Sequence, residues 1–446
     1  MLEILIWATA AVCAMGTIVA YVQYKDVFHP LIFIPPMFAF IYVYMPLHFI
    51  QSRELFLFIS ESQATFVQFV ILLTVSAFVI GCLIGSKVKR RVFNANVART
   101  PNVRILHLGA YSLGLIGLTA WAITIRNAGG ITGAFGGGYG GGWSDVGYIR
   151  DAVYLLIVAV LLLMSPEGFR FPEWKWTTAV IVFSVPWLMQ GLLGARRGPT
   201  FIIVVTLGMS WFLARRSRPS PVVLASSAIA LGFLMLFLVT NRSSIHLGAD
   251  LSDVKTDVTE VISSANEANE YIFGAGCILA TNEMGGFYWG RRYLAELLVR
   301  PIPHQLWPNK YKDFGVPELL QNAGVAVDGL ELVLGWREIP GSAAGMVADL
   351  WVEFYWLVVP VSWLIGWAYG YVWRKAIQDG QFWTTEYTIL ALLSIYLITQ
   401  SGEAVIFRLV ILTAASQFVW RKALSTGRPL QDSLVSQVSG KVAFPV

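Results

Sequence analysis

The turn Gly194-Ala-Arg-Arg-Gly-Pro199 sets two guanidinium groups, Arg196 and Arg197, side by side ahead of an apolar run. Pro199 suits the first turn of a helix, and a helix N-terminus favours an anion through its free backbone N–H groups. Arginine stays charged and binds phosphate oxygens in pairs, so the two side chains can grip a phosphate or diphosphate at a membrane face. Snorkelling to lipid headgroups is the bland alternative. Arg242 follows the next apolar run at the same surface, where it reads equally well as boundary punctuation. Arg408 lies inside the last apolar run, within Val405-Ile-Phe-Arg408-Leu-Val-Ile411. A charge within a spanning helix is costly, so it should face a cavity or a partner. Glu403 and Asp349 are candidate partners, and a structural ion pair is the competing reading.

Candidate proton acceptors stand further along the chain. Asp349 and Glu353 are four residues apart, which places both carboxylates on one face of a helix. One of them can serve as general base toward a hydroxyl nucleophile, and a solvated or Arg-paired helix start is the alternative. His304, in Arg300-Pro-Ile-Pro-His-Gln-Leu-Trp-Pro-Asn-Lys310, titrates near neutral pH when unperturbed and is a second candidate. Around it the segment is rich in aromatic side chains whose flat faces can stack on sugars, or simply form a small core and a membrane-interface belt. Trp289, beside Arg291, and Trp307, close to Lys310, are the sugar-binding candidates. Residues 129–142 form a glycine-rich stretch without the lysine of a P-loop, which reads as a lid or a connector.

Elements of one kind must position these groups. Of the 446 residues 56% are hydrophobic and 13% charged, and mean hydropathy is +0.63. A soluble domain carries about a quarter charged residues. The composition therefore excludes a disordered chain, a soluble globular enzyme and a disulfide scaffold, and predicts an all-α polytopic membrane protein. About eleven apolar runs (10–12) qualify or nearly qualify as spans, near 2–22, 30–50, 65–85, 105–125, 149–165, 176–193, 199–214, 221–240, 348–373, 384–400 and 404–420. This divides the chain into an N-terminal bundle of about eight helices (1–240, with a Gly-rich outer loop 127–147), a large extracytoplasmic loop (241–343) of helical character, about three C-terminal helices (344–420) and a tail (421–446). Lys and Arg concentrate in alternate loops: Lys87, Lys89, Arg90 and Arg91, then Arg170 and Lys175, then Arg215, Arg216 and Arg218, then Arg374 and Lys375, then Arg421 and Lys422. The positive-inside rule then puts the N-terminus outside and the C-terminus in the cytoplasm. The net charge of +5 is too small and scattered for nucleic acid. The three cysteines, Cys13, Cys82 and Cys277, read as buried small hydrophobes, and the dispersed histidines give no zinc spacing. No nucleotide-binding fingerprint appears, so neither a metal nor a cofactor is expected.

Taken together, the Arg-Gly turn before a helix, the long outer loop, Tyr288-Trp-Gly290 and the segment 300–310 resemble the Wzy-type polymerases. These bacterial enzymes polymerise O-antigen and exopolysaccharide repeat units and are related to the O-antigen ligases. The layout is similar over nearly the whole chain, the motifs over about a quarter of it. The resemblance implies an inner-membrane glycosyltransferase that transfers a growing chain from polyprenyl diphosphate to a hydroxyl of an incoming lipid-linked repeat, with inversion at the anomeric carbon. It implies no metal or nucleotide, and a flippase and a chain-length regulator as partners. Arg197 matches the family's Arg-Gly position, with Arg196 and Arg242 matching more loosely. The chain departs in having His304 after Pro303 where relatives carry arginine, and Asp349 where they carry glutamate. A transporter or flippase of lipid-linked saccharide is the alternative, since Arg408 and the short runs around Arg196 suit one equally.

Overall fold

The computed structural model describes residues 1–87, 99–138, 147–165, 174–215, 217–250, 252, 254–257, 270–316, 327–336 and 343–429. The chain is all-α. Its main helices are α1 (Leu2–Tyr24), α2 (Pro30–Gln51), α3 (Glu61–Ser86), α4 (Val103–Asn127), α5 (Leu155–Leu163), α6 (Trp174–Leu192), α7 (Arg197–Ala214), α8 (Pro221–Thr240), α9 (Glu270–Met284), α10 (Arg291–Leu294), α11 (Gly345–Phe354), α12 (Val358–Gln378), α13 (Phe382–Thr399) and α14 (Gly402–Ser425). A two-residue pairing of Arg99–Thr100 with Arg428–Pro429 is the extent of β-structure among the described residues. The basic cluster Lys89, Arg90 and Arg91, Arg170, Arg216, part of the glycine-rich stretch (139–146) and most of the tail (430–446) lie outside the described residues.

Among the described residues, eight stretches are long and apolar enough to cross a membrane: α1, α2, α3, α4, α8, α11 joined to α12, α13 and α14. In hydrocarbon a helix is the form that satisfies every backbone polar group within one segment, so runs of this composition fold this way. Eight of the eleven runs seen in the sequence thus become full-length candidates. The other three differ in build. The run 149–165 divides into Gly147–Ala152 and the nine-residue α5, whose residues Leu156–Leu163 are all buried. A helix apolar on every side is a core helix when it is this short. The runs 176–193 and 199–214 become α6, interrupted by Pro186, and the shorter apolar α7.

Local signals set the helix starts. Ser60 accepts from the Gln63 backbone N–H while the Gln63 side chain accepts from that of Ser60, a capping box opening α3. His29 Nδ1 accepts from Leu31 N at 3.2 Å ahead of Pro30, and Ser401 accepts from Ala404 N ahead of α14. The frame of the bundle is the α3–α12 pair. Gly81 and Gly85 on one helix face Gly366 and Gly370 on the other. A Cβ at Gly81 would lie 2.1 Å from the Trp363 carbonyl oxygen, and one at Gly366 2.1 Å from that of Phe78. The four-residue glycine spacing on both helices lets the backbones touch, the usual device where lipid offers no hydrophobic drive to association.

Two features outside this frame bear on function. Between α11 and α12 the chain breaks at Tyr355, with φ at 51°. The break frees the carbonyls of Val352 and Glu353, which accept from Tyr288 N at 3.2 Å and Trp289 N at 2.8 Å. That contact docks the segment 288–292 against α11. The other is α8, of which 6% of the spanning window is buried. It stands at the periphery, and Arg218 just before it makes paired bonds to Asp26, between α1 and α2, at 2.6 and 3.1 Å. In the stretch 241–343 the described residues include the helices Glu270–Met284 and Val327–Leu334. Within it α9 is buried over Glu270–Thr281 and encloses Cys277.

Candidate functional site

A cavity of about 2110 Å³ runs the length of α8, between that helix and a wall made by α1, α2, α7 and α13. For most of its course the lining is apolar: Ile18, Phe33, Met37, Val204, Phe212, Leu224 and Phe233 among others. Gly208 on α7 and Gly232 on α8 line it too, and neither has any atom within 4 Å of where a Cβ would sit. Unlike the glycines of the α3–α12 seam, these two leave space.

Toward the α7 N-terminus the lining turns polar and cationic. Arg196, Arg197, Arg242 and Arg408, named from separate stretches of the sequence, all line this end. The chain reaches it through a tight turn: Ala195 has φ at 46°, Arg196 takes the extended N-cap conformation, and Arg197 begins α7. Arg197 Nη2 stands 2.5 Å from Glu270 Oε1. Arg196 is crowded. Burial, with Arg242 and Arg150 nearby, lowers its pKa to about 10 against the pull of Tyr396 and Tyr154. Three guanidinium groups gathered in a half-buried place are an anion site in electrostatic terms. Arg408 lies over the rings of Tyr154 at 5.2 Å and Tyr396 at 4.8 Å, and donates to the Ala404 carbonyl. The sequence offered Glu403 and Asp349 as its partners, and the structure corrects this: both carboxylates go to Arg292.

Arg292 was not singled out in the sequence, yet it is one of the largest side chains that are fully buried. Its guanidinium meets Asp349 Oδ1 at 3.0 Å, Glu353 Oε1 at 3.4 Å and Glu403 Oε2 at 2.5 Å. Burial opposes its charge, but Asp349, Glu403 and Glu353 outweigh that and raise its pKa. Asp349 Oδ2 also accepts from Tyr293 Oη at 2.5 Å and Gly402 N at 2.8 Å, and Glu353 Oε2 from Gly290 N at 2.7 Å. Burial together with Asp349 pushes the Tyr293 hydroxyl well above its usual pKa. The four-residue spacing of Asp349 and Glu353 does place them on one face, and that face is enclosed. Neither lines the cavity, whereas Glu403 does.

The outer-loop candidates lie elsewhere. His304 is exposed in a turn and does not line the cavity. Trp289 and Arg291 are exposed, Trp289 at a φ of 53°. Trp307 donates to Asp313 Oδ2 at 2.7 Å. Lys310 is buried, its Nζ donating to the carbonyls of Val299, Arg300 and Ile302 at 3.2, 3.0 and 2.6 Å. Burial and the neighbouring Arg300 lower its pKa. Lys310 therefore binds its own loop. Arg300, whose carbonyl accepts one of these bonds, does reach the cavity, held by Asp151 at 2.7 Å and Glu296 at 2.5 Å. Among the described residues no group of three or more His, Cys, Asp or Glu side chains could hold a metal ion.

No protein-family model, curated protein or solved structure matches the chain.

Proposed function

We propose that this chain is an inner-membrane glycosyltransferase of bacteria that polymerises polyprenyl-diphosphate-linked oligosaccharide repeats at the periplasmic face. The product would be an O-antigen, capsule or exopolysaccharide. One observation carries the reading: a groove as long as a spanning helix, apolar along its length, ends in the crowded guanidinium groups of Arg196, Arg150 and Arg242. An amphiphile with a long hydrocarbon tail and a multiply charged head matches that pattern of lining, and a diphosphate matches clustered arginines in charge and geometry. The positive-inside distribution of Lys and Arg supports a periplasmic position for the arginine end, with the N-terminus outside and the C-terminus in the cytoplasm. There Arg196, Arg197, Arg242 and Arg408 would hold the donor diphosphate as it becomes the leaving group. One such contact is worth about 3 kcal/mol to a developing charge. Trp289, Arg291 and Trp307 would meet the saccharide outside the groove. A flippase and a chain-length regulator are the partners this chemistry needs.

The height of the groove favours a second reading, a flippase for the same lipid-linked saccharide. Against it stands the ion pair of Arg218 with Asp26, which ties the two walls together at the far end. The deciding measurement is made in cells lacking the chain. Lipid-linked single repeats displayed outside, with long polymer lost, support polymerisation. Lipid-linked repeats confined to the cytoplasmic leaflet would overturn it in favour of transport.

A further inference from the structure

We infer that Glu403 is the group that takes the proton from the acceptor hydroxyl, an assignment that rests on the polymerase reading above. Three carboxylates, Asp349, Glu353 and Glu403, share the one guanidinium of Arg292. Asp349 and Glu353 are fully enclosed and take further backbone or tyrosine donors. Glu403 is the member whose side chain keeps 13% of its surface open and lines the groove. Among the described residues it accepts a hydrogen bond from Arg292 alone.

Charge counting separates it from the other carboxylates in the groove. Among the described residues, Glu270 has Arg197 to itself, and Asp151 and Glu296 divide Arg300 between them. Glu403 holds a third share of a buried cation next to two other carboxylates. Like charges in one buried site make a carboxylate more ready to accept a proton. Glu403 is also placed for the work, in the first turn of α14 with Arg408 on the following turn. In the step itself the acceptor hydroxyl oxygen bonds to the anomeric carbon of the donor and its proton passes to Glu403. The bond from that carbon to the phosphate oxygen breaks, the electron pair leaves with the diphosphate among the arginines, and Glu403 then returns the proton to solvent.

The test uses the purified full chain in liposomes with a polyprenyl-diphosphate-linked oligosaccharide, scoring lipid binding and chain joining separately. Glu403→Gln keeps an acceptor for Arg292 and removes one surplus negative charge. It should bind the lipid within about twofold of wild type and join chains about a hundredfold more slowly or worse, the usual worth of a general base. Added formate should partly restore joining to Glu403→Ala, which a purely structural role would not allow. Joining by Glu403→Gln within about tenfold of wild type overturns the assignment. Should Glu403→Gln fail to fold, Glu403→Asp and Glu403→Ala decide the matter, since the shorter carboxylate should exceed alanine by about tenfold and equality overturns the role. Wild-type protein that neither binds nor joins the lipid-linked saccharide brings down the polymerase reading itself, a result no Glu403 variant can mimic.

Discussion

Arg197 at the start of α7 and Glu270 at the start of α9 form an ion pair at 2.5 Å, with the glutamate side chain 4% exposed and the arginine 29%. Removing one member of such a pair leaves a buried charge uncompensated, at a cost of about 3 kcal/mol or more. Arg197→Ala should therefore lower thermal stability as well as polymer yield. The double variant Arg197→Ala, Glu270→Gln should regain the stability and not the polymer. A melting curve and a surface-glycan gel on the same variants check both halves. Equal loss in both assays for the double variant would make Arg197 a structural residue only.

An anion at the crowded arginines should relieve their mutual repulsion. Inorganic pyrophosphate is then expected to raise the melting temperature of the detergent-purified chain, by about 2.7 kcal/mol of stability at a hundredfold excess over Kd. Arg196→Gln should lose most of the pyrophosphate response, because it removes one of the guanidinium groups gathered there. A response unchanged in Arg196→Gln places the anion elsewhere.

Gly208 and Gly232 predict opposite behaviour from Gly366. Tryptophan at either of the first two fills open space in the groove. Such variants should insert and melt normally, still respond to soluble pyrophosphate, and fail to bind the long-chain lipid. Gly366→Ala instead drives a Cβ to 2.1 Å from the Phe78 oxygen and should deplete folded protein from the membrane. Quantified membrane fractions and lipid-binding curves separate the two effects, and normal lipid binding by Gly232→Trp would exclude the groove as the tail site.

Lys310 holds three carbonyls of the segment 299–302 in place. Lys310→Met keeps the apolar stem and loses all three bonds, each net about 1 kcal/mol or somewhat more for a charged donor. Faster amide exchange across 299–316 is the expected result, with Arg300 less firmly presented to the groove. Unaltered exchange there, together with weaker saccharide binding, would return Lys310 to the role of a sugar contact.

Four of the groove's arginines were legible in the sequence because a charge inside or beside an apolar run is conspicuous, as Arg408 and the Arg196–Arg197 pair both are, whereas Arg150 and Arg300 did not stand out. Helix type was legible for the same reason, since runs of this length allow little else. What stayed hidden is made by segments distant along the chain. Arg292 draws Asp349, Glu353 and Glu403 from α11 and α14, and nothing in the local stretch Gly290-Arg291-Arg292 says which of two adjacent arginines turns inward. The enclosure of Asp349 and Glu353 followed from the break at Tyr355, which docks residues 288–292 over them. Periodicity reports a helical face but not what covers it. The matched glycine spacings of α3 and α12 were a readable signal, present at 81 and 85 and again at 366 and 370.

The bond between Arg218 and Asp26 gives α8 the mechanics of a rod clamped at its foot. The other end is pinned as well, since Asn241 donates to the Lys255 carbonyl at 3.0 Å and accepts from its N–H at 2.6 Å, so the lightly packed middle is the part left to bow. Anything thick pressed between α8 and the bundle is thus accommodated at mid-height and resisted at both ends. On the proposed function, such a bow would seat a slender hydrocarbon at mid-height and leave a bulky headgroup at the pinned end beside Arg196 and Arg242.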